Sequence, residues 1–243
     1  MVIFLILCLV IYNFFEISHV KIKNLVINSK KIKNEIRILQ ISDFHDNKFI
    51  NLNKLKVDID KVNPHIIALT GDLICRNTKN FKRLKEFLSI LQGYSVFFVE
   101  GNHEFDNSKS INEILEAKNV INLTNKAKEI LIGDSKITIY GNGYFKPIDM
   151  KLSKNFNLLL SHRIEDYLKN EKEYDLVLCG HTHGGQVRLP YFGQIIDHGG
   201  LFPKYSKGKY KINKSIVYID GGIGQSIPIR INDRVMMSVI YIR

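Results

Sequence analysis

Five short clusters of metal-ligand side chains punctuate the chain, each placed just after a run of β-type residues: Asp43-Phe44-His45, Gly71-Asp72, Gly101-Asn102-His103-Glu104, Ser161-His162 and Gly180-His181-Thr182-His183. No requirement of the core explains carboxylates, an amide and imidazoles repeated past strand ends. Brought together, such side chains could hold two divalent ions roughly 3.5–4 Å apart, close enough to act on one phosphate. Taken singly the clusters carry little, because an Asp-x-His triplet recurs by chance and Gly-Asp is also a common turn. The constraint lies in the whole set in this order.

The intervening segments indicate how the clusters are carried. Ile36, Ile38, Leu39 and Ile41 form a β-rich run that ends at Asp43. Residues 66–70 are mostly apolar, as in a strand buried on both faces, and residues 96–99 end just before Gly101. Residues 158–160 lead into His162, and 176–178 into Gly180. Between these runs the spacing changes. Leu52, Leu55, Ile59 and Val62 share one helical face, with Val57 off it. Phe81, Leu84, Phe87, Leu88 and Leu91 recur at helical spacing, with Gly93 as the stop, and Ile111, Ile114 and Leu115 mark a further helix. Later, residues 129–132 and 136–140 flank Gly133-Asp134-Ser135 as a hairpin, and residues 216–219 and 235–242 are strands. Strands alternating with helices, then strands joined by hairpins, predict an α/β fold of two packed sheets with helices outside. No internal repeat or low-complexity linker divides it, so one catalytic domain is expected.

A length of 243 residues with 45% hydrophobic and 24% charged side chains is an ordinary globular balance, which excludes disorder over most of the chain. The net charge is +11. The lysines are scattered, with no arginine block interleaved with aromatics, and a solvated basic surface accounts for them. The alternative is attraction to an anionic partner, a membrane surface ahead of nucleic acid. Cys8, Cys75 and Cys179 are odd in number and contain no C-x-x-C pair, so no disulfide framework is expected.

Residues 2–15 form an apolar run whose one strongly polar member is Asn13. The run is shorter than the roughly 20 residues of a full span, and extending it to Val20 admits Glu16, Ser18 and His19. Neither a basic leader nor a small-residue cleavage site frames it as a secretory peptide. The expectation is an uncleaved membrane anchor over residues 1–20, followed by the catalytic domain over 21–243; a buried first element of the domain is the competing reading. Lys21, Lys23, Lys30 and Lys31 follow at once and favour the cytoplasmic side.

Residue chemistry sets what the clusters can do. Asp43 and His45 lie two residues apart, so a strand end turning into a loop can aim both at one ion; carboxylate and imidazole suit zinc, manganese or iron. Asp72 has two oxygens and can bridge two ions, while the Asn102 amide limits negative charge at the second. His162, His181 and His183 complete two shells, and His103, beside a ligand, can meet the substrate instead.

With Gln40-Ile41-Ser42-Asp43-Phe44-His45, Leu69-Thr70-Gly71-Asp72-Leu73, Gly101-Asn102-His103-Glu104 and Cys179-Gly180-His181-Thr182-His183-Gly184-Gly185-Gln186 in place, the chain resembles the calcineurin-like metallophosphoesterases from about Ile36 onward. Within them it is most similar to a membrane-associated bacterial branch related to enzymes that hydrolyse UDP-2,3-diacylglucosamine; Gly200-Leu201-Phe202-Pro203-Lys204-Tyr205 and Gly222-Ile223-Gly224-Gln225-Ser226 also fit that branch. The resemblance implies a four-layer αββα sandwich. It implies one ion on Asp43, His45, Asp72 and His183, a second on Asp72, Asn102, His162 and His181, and His103 as phosphate binder or general acid. The implied activity is hydrolysis of a phosphodiester or pyrophosphate bond in a lipid- or nucleotide-linked substrate; a nuclease or cyclic-nucleotide phosphodiesterase on the same site is the alternative, and a non-catalytic scaffold is weaker because every ligand position is filled. Two departures stand out. Cys75, followed by Arg76, replaces the acid that the branch often carries three residues after the bridging aspartate, and Arg163-Ile164 follow His162 where relatives often have proline. Arg163 could reach a substrate phosphate or face solvent. Arg230, after Pro228, is a further anion-binding candidate, and His198 in its Gly-rich loop could line the site; His65 and His19 read as surface residues.

Overall fold

The apolar runs that precede the ligand clusters become strands buried on both faces. The computed structural model of the chain describes residues 1–243 apart from 171, 190–192, 195, 198–199 and 202; His198 therefore lies outside the described residues. Helix α1 (Val2–Ser18) and strand β1 (Lys21–Ile27) open the chain. Strands β2 (Ile36–Ile41), β3 (Ile66–Leu69), β4 (Val96–Phe98) and β5 (Ile121–Asn122) alternate with helices α2 (Leu52–Val62), α3 (Lys82–Ser89) and α4 (Ser108–Ala117). Strands β6 (Ala127–Ile132), β7 (Ser135–Gly141) and β8 (Phe156–Leu160), helix α5 (Ile164–Leu168) and strand β9 (Leu176–Cys179) follow. Two short ribbons pair β10 (Arg188–Leu189) with β11 (Gly193–Gln194) and β12 (Ile196–Asp197) with β13 (Gly200–Leu201); β14 (Gly208–Ile212), β15 (Ser215–Ile219) and β16 (Met236–Ile242) end the chain.

The long strands form two six-stranded mixed sheets, ordered β1-β16-β2-β3-β4-β5 and β14-β15-β9-β8-β7-β6. The period-2 alternation of each strand assigns its side chains to one layer or the other. Ile36 and Ile38 of β2, Ile66 of β3, Leu158 of β8 and Leu176 of β9 pack between the sheets. Leu39, Ile41, Ile67 and Leu69 point the opposite way, onto Leu55 and Ile59 of α2 and onto Leu84 and Phe87 of α3. On the far side of the second sheet, Val177 and Cys179 pack on Ile164 and Tyr167 of α5. The layer order is therefore helices, sheet, sheet, helix.

Local signals account for the helix limits. The Asn51 side chain caps α2 by accepting the Lys54 N–H at 3.0 Å, and Asn63 leaves the helix in the left-handed region at φ 47°. Val57, off the apolar face, is exposed. Asn51→Ala removes the cap and is expected to cost about 1 kcal/mol, lowering Tm by about 2–4 °C; thermal circular dichroism measures it, and an unchanged Tm would show the cap to be dispensable.

Two expectations need correction. The first element is no buried strand or core helix: α1 buries only Glu16 and Ile17, and most of its apolar side chains are exposed. Nor does it continue to Val20, and no helix among the described residues is long and apolar enough to cross a membrane. Strand β14, an edge strand of alternating lysines, had no apolar run to announce it.

Candidate metal centre

Each ligand cluster follows the carboxyl end of a strand, and β2, β3 and β4 run parallel in one sheet as β8 and β9 do in the other. Parallel strands bring their following loops to one edge, the usual position of a site in such sheets. The two edges are joined by Gln40, buried between the sheets, whose Nε2 donates to Thr70 Oγ1 at 3.1 Å and to the Cys179 carbonyl at 2.8 Å. One amide thus ties the ends of β2, β3 and β9 before the loops diverge.

Ligand atoms of Asp43, His45 and His183 lie within 4.8 Å of one another, as do those of Asp72, His162 and His181. His45 Nε2 and His183 Nε2 are 3.2 Å apart, and His162 Nε2 is 3.0 Å from both His181 Nδ1 and Asn102 Oδ1. Ligands about 2.0–2.1 Å from a tetrahedral zinc are separated by about 3.3 Å, so these spacings suit a transition-metal ion. Asp72 stands between the groups. Its Oδ2 is 3.3 Å from His162 Nε2, 3.7 Å from His45 Nε2 and 3.8 Å from His103 Nε2. Its Oδ1 instead accepts the His103 backbone N–H at 2.9 Å. Both groups therefore converge on a single oxygen, where the residue type alone had suggested one oxygen for each.

The turns that aim these side chains are strained. Asp43, His45, Asp72, His181 and His183 all have φ between 46° and 73°, a left-handed region that non-glycine residues seldom occupy. Space is equally tight: a Cβ on Gly101 would lie 2.2 Å from Asp72 Oδ1. Such conformations persist because the surroundings over-determine them. Glu104, buried at the back of the site, accepts the N–H groups of Gly101 at 2.8 Å, Asp72 at 2.9 Å, Leu73 at 2.7 Å and Ile74 at 3.3 Å. Its carboxylate clasps the loop after β3 to the loop after β4.

Burial and mutual charge set the protonation of the group. Burial lowers His45 to about 4 and holds His183 well below the ordinary imidazole range, with His45 and Arg230 adding to the effect. Both are therefore neutral, the form that ligates. Burial alone would lower His162, but the charge and hydrogen bond of Asp72 lift it to about 10. Burial would raise Asp72, yet His162 and His45 outweigh it and hold the carboxyl below its usual range. Burial pushes Asp43 up to about 7, opposed by His162, and pushes Glu104 up to about 7 with Asp72 adding to the rise. Two carboxylates, an amide and four imidazoles this close need positive charge among them, so the donor set fits divalent cations.

The remaining sequence candidates fall differently. His103 Nδ1 accepts the Arg76 backbone N–H at 2.9 Å, which turns its Nε2 toward Asp72. A backbone amide of the following turn thus orients His103. The Cys75 thiol lies 3.4 Å from the His45 carbonyl, and Asp46, in the loop after β2, accepts the Cys75 N–H and the Thr78 hydroxyl. Arg163 is neither free in solvent nor directed at the clusters: it pairs with Glu165 at 3.3 Å and lies over the Phe145 ring at 4.8 Å. Arg230 is a clear correction. It is fully buried, and its guanidinium donates to the carbonyls of Asp233, Gly221 and Gly224 and to the Asp233 carboxylate. It braces the loop before β16 and reaches no substrate surface. Reasoning on the sequence placed Ser226 only in a segment that fits the branch and missed its place at the site, where its hydroxyl is 3.2 Å from His183 Nε2.

The architecture and the convergent ligands are those of a metal-dependent phosphoester hydrolase. The chain belongs to the calcineurin-like phosphoesterases, whose sequence profile matches residues 36–185. It is 29% identical to an uncharacterised metallophosphoesterase of Campylobacter jejuni over 84% of this chain, spanning 58% of that protein's length. It is 27% identical to the phosphodiesterase YaeI of Escherichia coli, over 82% of this chain and 78% of that one. It is 25% identical to the UDP-2,3-diacylglucosamine pyrophosphatase LpxG of Chlamydia muridarum, over 78% of each. Among solved structures, the NAD nucleotidase of Haemophilus influenzae shares the fold with a TM-score of 0.52, at 14% identity over 79% of this chain and 45% of that one.

Proposed function

We propose that the chain hydrolyses a phosphodiester or pyrophosphate bond in a lipid- or nucleotide-linked substrate, such as a UDP-diacylglucosamine, with two divalent ions. Asp43, His45, Asp72 and His183 hold one ion; Asp72, Asn102, His162 and His181 hold the other. The observation that carries this reading is the convergence of both groups on Asp72 Oδ2. Zinc, manganese or iron would supply Lewis acidity and an activated water there. His103, oriented by the Arg76 amide, presents Nε2 to the phosphate oxygens or the leaving oxygen. His103→Ala is expected to lower kcat about 100-fold with bound metal unchanged; loss of metal in step with activity would make His103 a ligand instead.

The surroundings support the substrate class. Exposed Phe105 follows Glu104, and its ring lies 6.3 Å from Tyr144, which packs 4.1 Å from exposed Phe145. This aromatic rim, with Arg163 over it, offers a stacking face for a nucleobase. It equally favours a second reading, a nuclease or cyclic-nucleotide phosphodiesterase.

On another side, Ser226 at His183 continues into exposed Ile227, Ile229 and Ile231. That segment is stapled to α1: Asn13 donates to the Pro228 carbonyl at 2.9 Å, Arg230 N–H donates to Asn13 at 2.9 Å, and Asn232 N–H donates to Tyr12 at 2.9 Å. Residues 2–11, ahead of these contacts, rise about 15 Å, about half a bilayer's hydrocarbon thickness. Residues 1–20 thus attach the catalytic domain, 21–243, to the surface of a cell membrane, on the cytoplasmic side that Lys21, Lys23, Lys30 and Lys31 favour. The test compares turnover of a lipid-linked pyrophosphate, an aryl phosphodiester, a cyclic nucleotide and single-stranded DNA by the metal-loaded full chain. Preference for the lipid pyrophosphate supports the reading; preference for DNA or the cyclic nucleotide replaces it with the second.

A further inference from the structure

Beside the foot of α1, a groove of about 570 Å³, lined by none of the metal-ligand candidates, opens between the edge strands of the two sheets. Its lining is unusual for the end of a sandwich. On β1, Leu25 and Ile27 pack between the sheets, and the same alternation places Lys23 and Lys21 on that face. On β14, Lys209 sits directly opposite Tyr218 of β15, an inter-sheet residue, and so faces β1 from the other side. Where the apolar layer should continue, lysines from both sheets confront one another across the gap. Arg234 joins them, its guanidinium 5.0 Å from the Phe15 ring of α1 and its Nε without a hydrogen-bond partner. None of Lys21, Lys23, Lys209 and Arg234 forms an ion pair among the described residues. A fifth cation, Lys207, is neutralised by Asp233. The acid lining the groove, Glu16, is itself buried and engaged by the Asp233 N–H.

Four cations without an ion-pair partner outnumber the one carboxylate lining the cleft, and an anion seated among them relieves their mutual repulsion. The position of the cleft names the anion. It adjoins a helix whose residues 2–11 are apolar and exposed, with Tyr12 lining the groove at the boundary. An element that enters hydrocarbon brings its own base to the depth of the phosphates. We propose that this groove binds the phosphate of an anionic lipid headgroup, so that α1 and the two sheet edges engage a bilayer together. The proposal rests on the membrane attachment argued above, and adds to it a charge-selective contact distinct from the active site.

The test is cosedimentation of the full chain with vesicles of phosphatidylcholine, alone or with one third phosphatidylglycerol. The wild type is expected to partition at least tenfold more strongly onto the anionic vesicles. Each cation near an anionic surface contributes about fivefold, so Lys21→Glu with Lys209→Glu should abolish the preference. Binding to pure phosphatidylcholine and hydrolysis of a soluble aryl phosphodiester should be unchanged. The control is Lys54→Glu with Lys61→Glu on α2, the same charge change elsewhere, which should keep the preference. Equal loss in the control would overturn the groove in favour of general charge. Binding without anionic preference would overturn the groove and leave membrane attachment standing. No binding to either vesicle would overturn both, and tighter binding to duplex DNA than to anionic vesicles would reassign the groove.

Discussion

Asp72→Ala is expected to lower kcat on an aryl phosphodiester by at least about a thousandfold and to reduce the bound metal by half or more. The reason is geometric. Asp72 Oδ2 is the atom within 3.8 Å of His45, His103 and His162 at once, so its removal leaves two imidazole groups with no shared anion between them. It also removes the carboxylate oxygen 3.3 Å from His162 Nε2, and unties the His103 N–H from Oδ1. Asp72→Asn preserves the volume and one acceptor, and should recover the N–H contact without recovering activity. Metal analysis and steady-state kinetics on the same preparations decide the matter. A fully active, fully loaded Asp72→Ala protein would end the assignment of this site.

Glu104→Ala carries the second large effect, and it acts on the scaffold before the chemistry. The carboxylate accepts four backbone N–H groups from the two loops that present Asp72 and Asn102. Alanine leaves those donors buried without partners, a cost of about 3–5 kcal/mol. For a chain of this length that corresponds to a Tm lower by about 10 °C. The loops would also relax from the left-handed φ of Asp72. Activity should fall even when metal is supplied in excess, because the ligands lose their aim rather than their donors. Glu104→Gln, which turns one acceptor into a donor facing other donors, should fall between the two. Thermal unfolding with and without metal gives the measurement; a shift below 1 °C in Glu104→Ala would show that the clasp is redundant.

Much of the fold was legible because it depends on local periodicity. The β-rich apolar run in residues 36–41 and the three-to-four spacing of Leu52, Leu55, Ile59 and Val62 each match one backbone geometry. The hairpin at Gly133-Asp134 is equally local, a two-residue turn between paired Ile132 and Ser135. Strand β14 was not legible, since an edge strand of Gly-Lys-Tyr-Lys-Ile has no continuous apolar run. The aromatic rim was invisible for a different reason: Tyr144 and Phe145 are chain neighbours, but Phe105 is remote in sequence and meets Tyr144 only in space. Arg230 misled because its position in a loop after proline resembles an exposed anion binder, while its burial against Gly221, Gly224 and Asp233 is a long-range packing result.

By itself the sequence determined which chemistry is available and where along the chain it is carried. Residue type settles that carboxylates, an amide and imidazoles follow strand ends, and strands are encoded by neighbours two residues apart. Only the tertiary structure decided that both groups share Oδ2 of Asp72, that Glu104 clasps two ligand loops, and that lysines of two sheets face each other beside α1. Those outcomes depend on ångström-scale distances between segments tens to hundreds of residues apart. Such distances are set by how complete layers pack, a global balance that no local pattern of residues records.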